Sequence, residues 1–157
     1  MNKRATATPS RQDEQKIIAQ LSALYNISST LNSIVDIDAL LEYIIQQTKD
    51  LLNVEGVSIL LCDQRRGELY FPSVTLDEEE IETRLKQLRF PIDSGIAGWV
   101  FREGKPAIVP DVSVDERFYR EIDESTGFVT KSILCVPLRT KEGNLGVLEV
   151  VNKKEGQ

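Results

Sequence analysis

The sequence predicts an α+β fold. A central antiparallel sheet of about six strands carries helices on one face, and a lid of loops and short helices covers a pocket on the other. Three observations predict this. Helical periodicity dominates the first third of the chain, and strand-like apolar runs dominate the rest. The last two apolar runs are joined by the tight turn "KEGN", which makes them a hairpin and the sheet antiparallel. Some runs, such as "NLGVLEVVN", are apolar on both faces, so both faces need cover. The first two helices supply one cover. The irregular segments between Gly95 and Thr130 supply the other, and such a roof leaves room for a pocket.

Residues 1–11 form a polar tail, expected to be loose, and 12–157 form the domain. A helix is expected over 12–33, where Ile17, Leu21, Leu24, Ser28 and Leu31 recur at the spacing of a coiled-coil seam. So short a seam must lean on something. It packs on its own domain, or it pairs with the same helix of a second chain, and spacing leaves both readings open. Asp36 suits the cap of a second helix, Ile37 to Leu52, whose Leu40, Leu41, Ile44, Ile45, Thr48, Leu51 and Leu52 make a broad apolar face. "GVSILLCD" and "ELYFPSV" read as a hairpin closed by "QRRG", with Pro72 marking an irregular or edge position. "DEEEIETRLKQL" reads as a short polar helix with acid at its front, and "RFPID" as a brief strand. "SGIAGWVFREG" reads as a helix capped near Asp93 or Ser94 and ended by Gly104. "KPAIVPD" is a strand bounded by prolines, and "KSILCVPLRT" with "NLGVLEVVNK" completes the sheet.

Composition narrows the function. With 19 basic and 25 acidic residues among 157, the net charge of −6 does not attract a nucleic acid polymer or an anionic membrane. No apolar run is long enough to span a bilayer, and "MNKRATATPSRQDEQ" lacks the apolar stretch of a secretory signal. Cys62 and Cys135 lie in apolar runs and read as buried free thiols, which fits a cytoplasmic setting. The chain has no histidine, which argues against zinc, Ser-His or Cys-His catalysis and an axial haem ligand. No nucleophile–base pair is visible, and no covalent cofactor is expected.

The candidate site residues are of three kinds. Tyr119, Asp123, Thr126 and Thr130 are spaced by four, three and four, all four side chains end in oxygen, and Gly127 is expected to end the helix, so that Thr130 leads into the next strand. Either this stripe faces solvent while Phe118 and Ile122 face the core, or it faces the sheet and a guest satisfies it. Glu149 sits between Val147 and Val151 on one face of the last strand. Either it lies at a rim and meets water, or pairs with Lys131 or Arg139 across the hairpin, or it faces the pocket and accepts hydrogen bonds from a ligand. "SGIAGWV" places small residues at a helix start: either they only permit tight packing, or the backbone N–H groups there approach a ligand and favour an anion.

"GIAGWV" (95–100), "FYREIDESTGF" (118–128), "SILCVPL" (132–138) and "GVLEVVNK" (146–153) occur in that order. On these pieces the chain, from about residue 20 to 154, resembles a GAF domain, most closely the cyclic-nucleotide-binding members found in phosphodiesterases and cyanobacterial adenylyl cyclases. The resemblance implies a non-catalytic sensor domain of a signalling protein that binds cAMP or cGMP. It implies that the backbone at Ile96 and Ala97 approaches the cyclic phosphate, that Tyr119, Asp123, Thr126 and Thr130 lid the ligand, and that Glu149 and Ser58 complete the site. It also implies a longer chain with an output domain. Two departures stand out. No Phe-Asp pair aligns in "YFPSVTLD" to read the base, so cAMP and cGMP stay open. Asn152 and Lys153 open the phosphodiesterase signature, but its closing Phe and Asp and the final helix of the family would fall beyond Gln157. The alternative is a dimerisation or interaction module, a homodimer through the N-terminal helix, whose pocket is empty or holds another small metabolite.

Overall fold

The computed structural model describes residues 10–31 and 36–155. Of the tail expected over 1–11, residues 1–9 lie outside the described residues, as do the helical expectation at 32–33 and the side chain of Leu31, whereas Ser10 and Arg11 form the cap and first residue of a helix. The chain divides into two compact units, Met1–Asp36 and Ile37–Gln157.

The first unit holds α1, Arg11–Leu31. Its start is a reciprocal capping box: the Ser10 N–H and hydroxyl donate to Asp13 Oδ2 at 3.1 and 2.6 Å, and the Asp13 N–H donates to Ser10 Oγ at 3.2 Å. Ile17, Leu21 and Leu24, three members of the expected seam, are exposed.

The second unit runs α2 (Ile37–Leu52), β1 (Val54–Asp63), β2 (Glu68–Leu76), α3 (Glu79–Lys86), β3 (Arg89–Pro91), α4 (Gly95–Glu103), β4 (Ala107–Val109), a 3-10 turn at Val112–Val114, α5 (Arg120–Thr126), β5 (Ile133–Thr140) and β6 (Gly143–Lys153). The strands form one six-stranded sheet in the order β3-β2-β1-β6-β5-β4, antiparallel at every pairing. Ile59 pairs with Ser73 and Leu61 with Tyr70, so β2 holds an extra residue at Phe71–Pro72. That bulge, and the register shift at Leu138–Arg139, curl the sheet. Pro72, expected at an irregular position, sits in the bulge.

The pleat sorts side chains onto two faces. Val57, Ile59 and Val150 pack under Ile45 of α2, with Leu41, Ile44, Leu134 and Leu148 around them. Two residues depart from expectation. Leu51 of α2 and Leu145 of β6 are exposed rather than packed on the sheet. Each lies near the end of its element, where the partner surface has run out. On the opposite face, Leu60, Phe71, Cys135, Val147 and Val151 pack against α3, α4 and the segment leading to β5. Glu149 belongs to this second face, between Val147 and Val151, as the pattern of β6 required.

Candidate functional site

Three elements meet over the second face and leave a cavity. The first is the start of α4. Gly95 has φ +77°, a left-handed conformation that glycine adopts without strain, and a Cβ there would come within 3.2 Å of the Tyr119 Cβ. Ser94 holds the cap position but makes no side-chain capping bond, and the Gly98 N–H donates to the Ser94 carbonyl at 3.2 Å. The N–H groups of Gly95, Ile96 and Ala97 therefore precede the helical ladder, at the end of the helix that favours negative charge. All three residues line the cavity.

The second element is the sheet. Cys135, Glu149, Ser58 and Val74 lie side by side across β5, β6, β1 and β2, on the lid face. Glu149 lines the cavity. Burial, and then the charge of Asp123, push its carboxyl up to about 7 from an ordinary 4.5. The residue is half-buried, with its remaining surface toward the cavity. Burial, and then the nearby Glu149, also push up the Cys135 thiol, so it stays a neutral apolar neighbour.

The third element is the lid, α5 with its flanks. Tyr119 precedes α5, its ring tilted against Phe90 at 5.9 Å, and Phe90 lies 6.0 Å from Phe71, so these three rings in contact, together with Phe118, wall the cavity. The Tyr119 hydroxyl donates to Glu121 Oε2 at 2.5 Å on the exposed side, and that bond holds the phenol proton more tightly. Asp123 accepts from the Thr130 N–H and from the Thr130 hydroxyl, both at 2.7 Å. This clasp closes over Gly127, which ends α5 at φ +80° as its sequence position required. Thr126 is fully buried; its hydroxyl donates to the Ile122 carbonyl at 2.8 Å and accepts from the Phe128 N–H at 3.3 Å.

The cavity is small. About 40 Å³ of it is open to the centre of a water molecule, room for on the order of three waters.

Six of the eight candidate residues line this cavity: Ile96, Ala97, Tyr119, Asp123, Thr130 and Glu149. Thr126 and Ser58 do not. Ser58 is buried beside Glu149 in the sheet, and Thr126 is turned into its own helix end. Neither open reading of the hydroxyl stripe survives unchanged. The side chains do not form a bare polar face that only a guest satisfies, because each has a protein partner. The reason is that α5 stops at Thr126: Tyr119 and Thr130 flank the helix, and each oxygen finds the nearest local group. Glu149, by contrast, neither lies at a rim nor pairs with Lys131 or Arg139.

Sequence reasoning missed the aromatic wall. Phe71 lies in a bulge and Phe90 in a three-residue strand between two exposed neighbours, so neither showed a clear period. It also missed the pins that hold the lid. Asn152, at φ +57° and 3 % exposed, accepts from the N–H groups of Lys131 and Ser132 at 2.7 and 3.2 Å. Its amide donates to the Val129 carbonyl at 2.8 Å and to Glu55 at 2.9 Å. One side chain thus ties the end of the lid to β1 and β6. Arg84 of α3 donates to the Thr126 carbonyl at 2.9 Å. The Lys153 ammonium donates to the Leu52 carbonyl at the end of α2.

A second, wider groove of about 560 Å³ lies between Leu52, Ile108, Leu134 and Val150. Its lining is mostly apolar, and of its polar members Asn152 and Lys153 already serve the bonds just described. Among the described residues no group of three or more His, Cys, Asp or Glu is placed to hold a metal ion, and no helix is long and apolar enough to cross a membrane.

The family model described as "GAF domain" matches residues 36–157, the unit that holds the curled sheet and its cavity. The chain belongs to the GAF family. It is 31% identical over 156 residues to "Probable 3',5'-cyclic phosphodiesterase pde-5" of Caenorhabditis elegans, covering 92% of this chain and 21% of that protein. It is 30% identical over 160 residues to "Dual 3',5'-cyclic-AMP and -GMP phosphodiesterase 11" of Drosophila melanogaster, covering 93% of this chain and 11% of that protein. The chain thus spans about a fifth or less of the length of these relatives. Among solved structures, the GAF domain of an Acinetobacter phosphoenolpyruvate-protein phosphotransferase superposes with a TM-score of 0.73 at 24% identity, over 88% of this chain and 80% of that one. A free methionine-R-sulfoxide reductase from Neisseria meningitidis superposes with a TM-score of 0.72 at 20% identity, over 100% of this chain and 84% of that one. These two likenesses show the fold alone.

Proposed function

We propose that the chain is a non-catalytic regulatory sensor that binds a purine cyclic nucleotide, cAMP or cGMP, between sheet and lid. One observation carries this reading: helix-end N–H groups, an aromatic wall and a buried carboxyl converge on a single cavity. A cyclic nucleotide has a part for each. The N–H groups of Ile96 and Ala97 take the cyclic phosphate. Phe71, Phe90 and Tyr119 take the base. Asp123, Thr130 and Glu149 meet its polar edges, while Thr126 and Ser58 support them from behind. The relation to cyclic nucleotide phosphodiesterases supports the same choice.

The cavity of about 40 Å³ is far below the roughly 300–1,000 Å³ of small-molecule sites, so the guest enters by lifting the lid. The Asp123–Thr130 clasp is the contact that must rearrange. Binding then favours one lid position over another, and only that unequal affinity can pass a signal to an output domain in a longer, cytoplasmic chain. Thermal-shift titration tests the reading: a nucleotide at 100 times its dissociation constant stabilises the fold by about 2.7 kcal/mol. No shift with either nucleotide at millimolar concentration removes it.

The exposed apolar side chains of α1 favour a second reading, a homodimerisation module working through that helix. Deleting residues 1–33 then yields a monomer by light scattering; a dimer that persists after deletion rules this interface out.

A further inference from the structure

The binding reading leaves a charge problem, and the cavity holds its own answer. An anion seated at the start of α4 would share a small space with two carboxyl groups, Asp123 and Glu149. No lysine or arginine is among the lining residues. The two carboxyls are not equivalent. Asp123 accepts two hydrogen bonds from Thr130. Glu149 makes no such bonds with the lid, and its neighbours across the sheet are Ser58 and Cys135, neither of them charged. From α5 it faces Asp123; Tyr119 is committed to Glu121; the α4 segment Gly95–Ala97 has no ionisable side chain. Every titratable group near Glu149 is thus neutral or negative.

We propose that Glu149 is a proton-bearing binding residue: an anionic guest binds to the form of the cavity in which this carboxyl carries its proton. The proposal rests on the reading of the cavity as a cyclic-nucleotide site and adds its proton linkage. A neutral Glu149 both donates and accepts, so it suits a guest edge of mixed character, and it spares the phosphate a second fixed negative charge. Burial and the neighbouring Asp123 set the poise, with the carboxyl pushed up to about 7. A bound phosphate holds the proton more tightly still. Binding therefore takes up a proton above neutral pH, and the affinity weakens as the empty site loses that proton.

The test is calorimetric titration with cAMP and with cGMP from about pH 6 to about pH 8.5, on wild type and Glu149→Gln. Wild-type affinity should be flat at the acid end and weaken toward about tenfold per pH unit above neutrality. Glu149→Gln, an uncharged isostere, should bind at all pH values with no slope. Affinity that rises with pH, or a glutamine variant that loses binding more than about tenfold at every pH, overturns the proposal, since Glu149 would then act as a carboxylate. A second arm needs no nucleotide. Carboxyl carbon-13 NMR of the free protein should show Glu149 titrating near 7; titration near the ordinary 4.5 overturns the proposal. If neither nucleotide binds at any pH, the functional reading falls, and the NMR titration alone decides whether the cavity holds a neutral acid.

Discussion

The two faces of the sheet are built from the same six strands but covered in opposite ways. One lies under α2, a single helix of 16 residues whose apolar stripe meets Val57, Ile59 and Val150. The other lies under α3 of eight residues, α4 of nine, α5 of seven, and the loops between them. A long helix satisfies its own backbone through its length and presents one continuous apolar surface. Short helices are mostly ends, and ends bring free N–H groups, capping glycines and polar side chains with them. The first cover gives a packed core. The second leaves a cavity with a helix end, a carboxyl clasp and a buried acid.

Substitutions on the two faces should therefore separate stability from binding. The largest effect is expected at Ile45, 2 % exposed at the centre of the α2 face. Ile45→Ala should cost about 3 kcal/mol in urea unfolding and, on the function proposed above, leave the affinity of the folded fraction for cyclic nucleotide unchanged. A loss under about 1 kcal/mol, or altered affinity, would mean that the faces are not independent.

Next comes the pH dependence of the lid face. Glu149 holds its proton to about 7 in the folded protein, against 4.5 as the ordinary value taken for the unfolded chain. Between those values the folded state binds the extra proton, so stability falls as pH rises from about 4.5 to about 7. The loss is up to about 3 kcal/mol, less whatever cavity water screens. Glu149→Gln should remove this slope from chemical-denaturation curves, whereas Ile45→Ala should leave it in place.

Smaller again is Asp123→Ala, which breaks both bonds to Thr130. It should cost about 1–2 kcal/mol and speed hydrogen exchange at the Thr130 N–H without changing exchange in α2. Smallest is Ser73, a fully enclosed hydroxyl of the α2 face that lacks a hydrogen-bond partner in the structure. Ser73→Ala removes that unsatisfied group and should be neutral or stabilising by about 1 kcal/mol. A clear destabilisation would reveal a partner for the hydroxyl.

Asn152 shows why legibility differed between the faces. In sequence it is one polar residue at the end of an apolar strand, and nothing local announces four hydrogen bonds. The fold gives it that role by bringing Lys131, Ser132, Val129 and Glu55 to one point. Leu41, Ile44 and Ile45, by contrast, declared the packed face of α2 by spacing alone.

The sequence by itself determined the α+β class, the final hairpin, the ends of α4 and α5 at Gly104 and Gly127, and the placement of Glu149 on the face of Val147 and Val151. These follow from local rules: the pleat repeats every two residues, and glycine takes left-handed φ without strain. Tertiary structure alone decided that Tyr119 turns its hydroxyl to Glu121, that Asp123 clasps Thr130, and that Phe71 and Phe90 share a wall. Polar side chains at short helix ends choose among partners separated in sequence by a few residues or by dozens. The choice is made by which of them the curled sheet brings within hydrogen-bond reach.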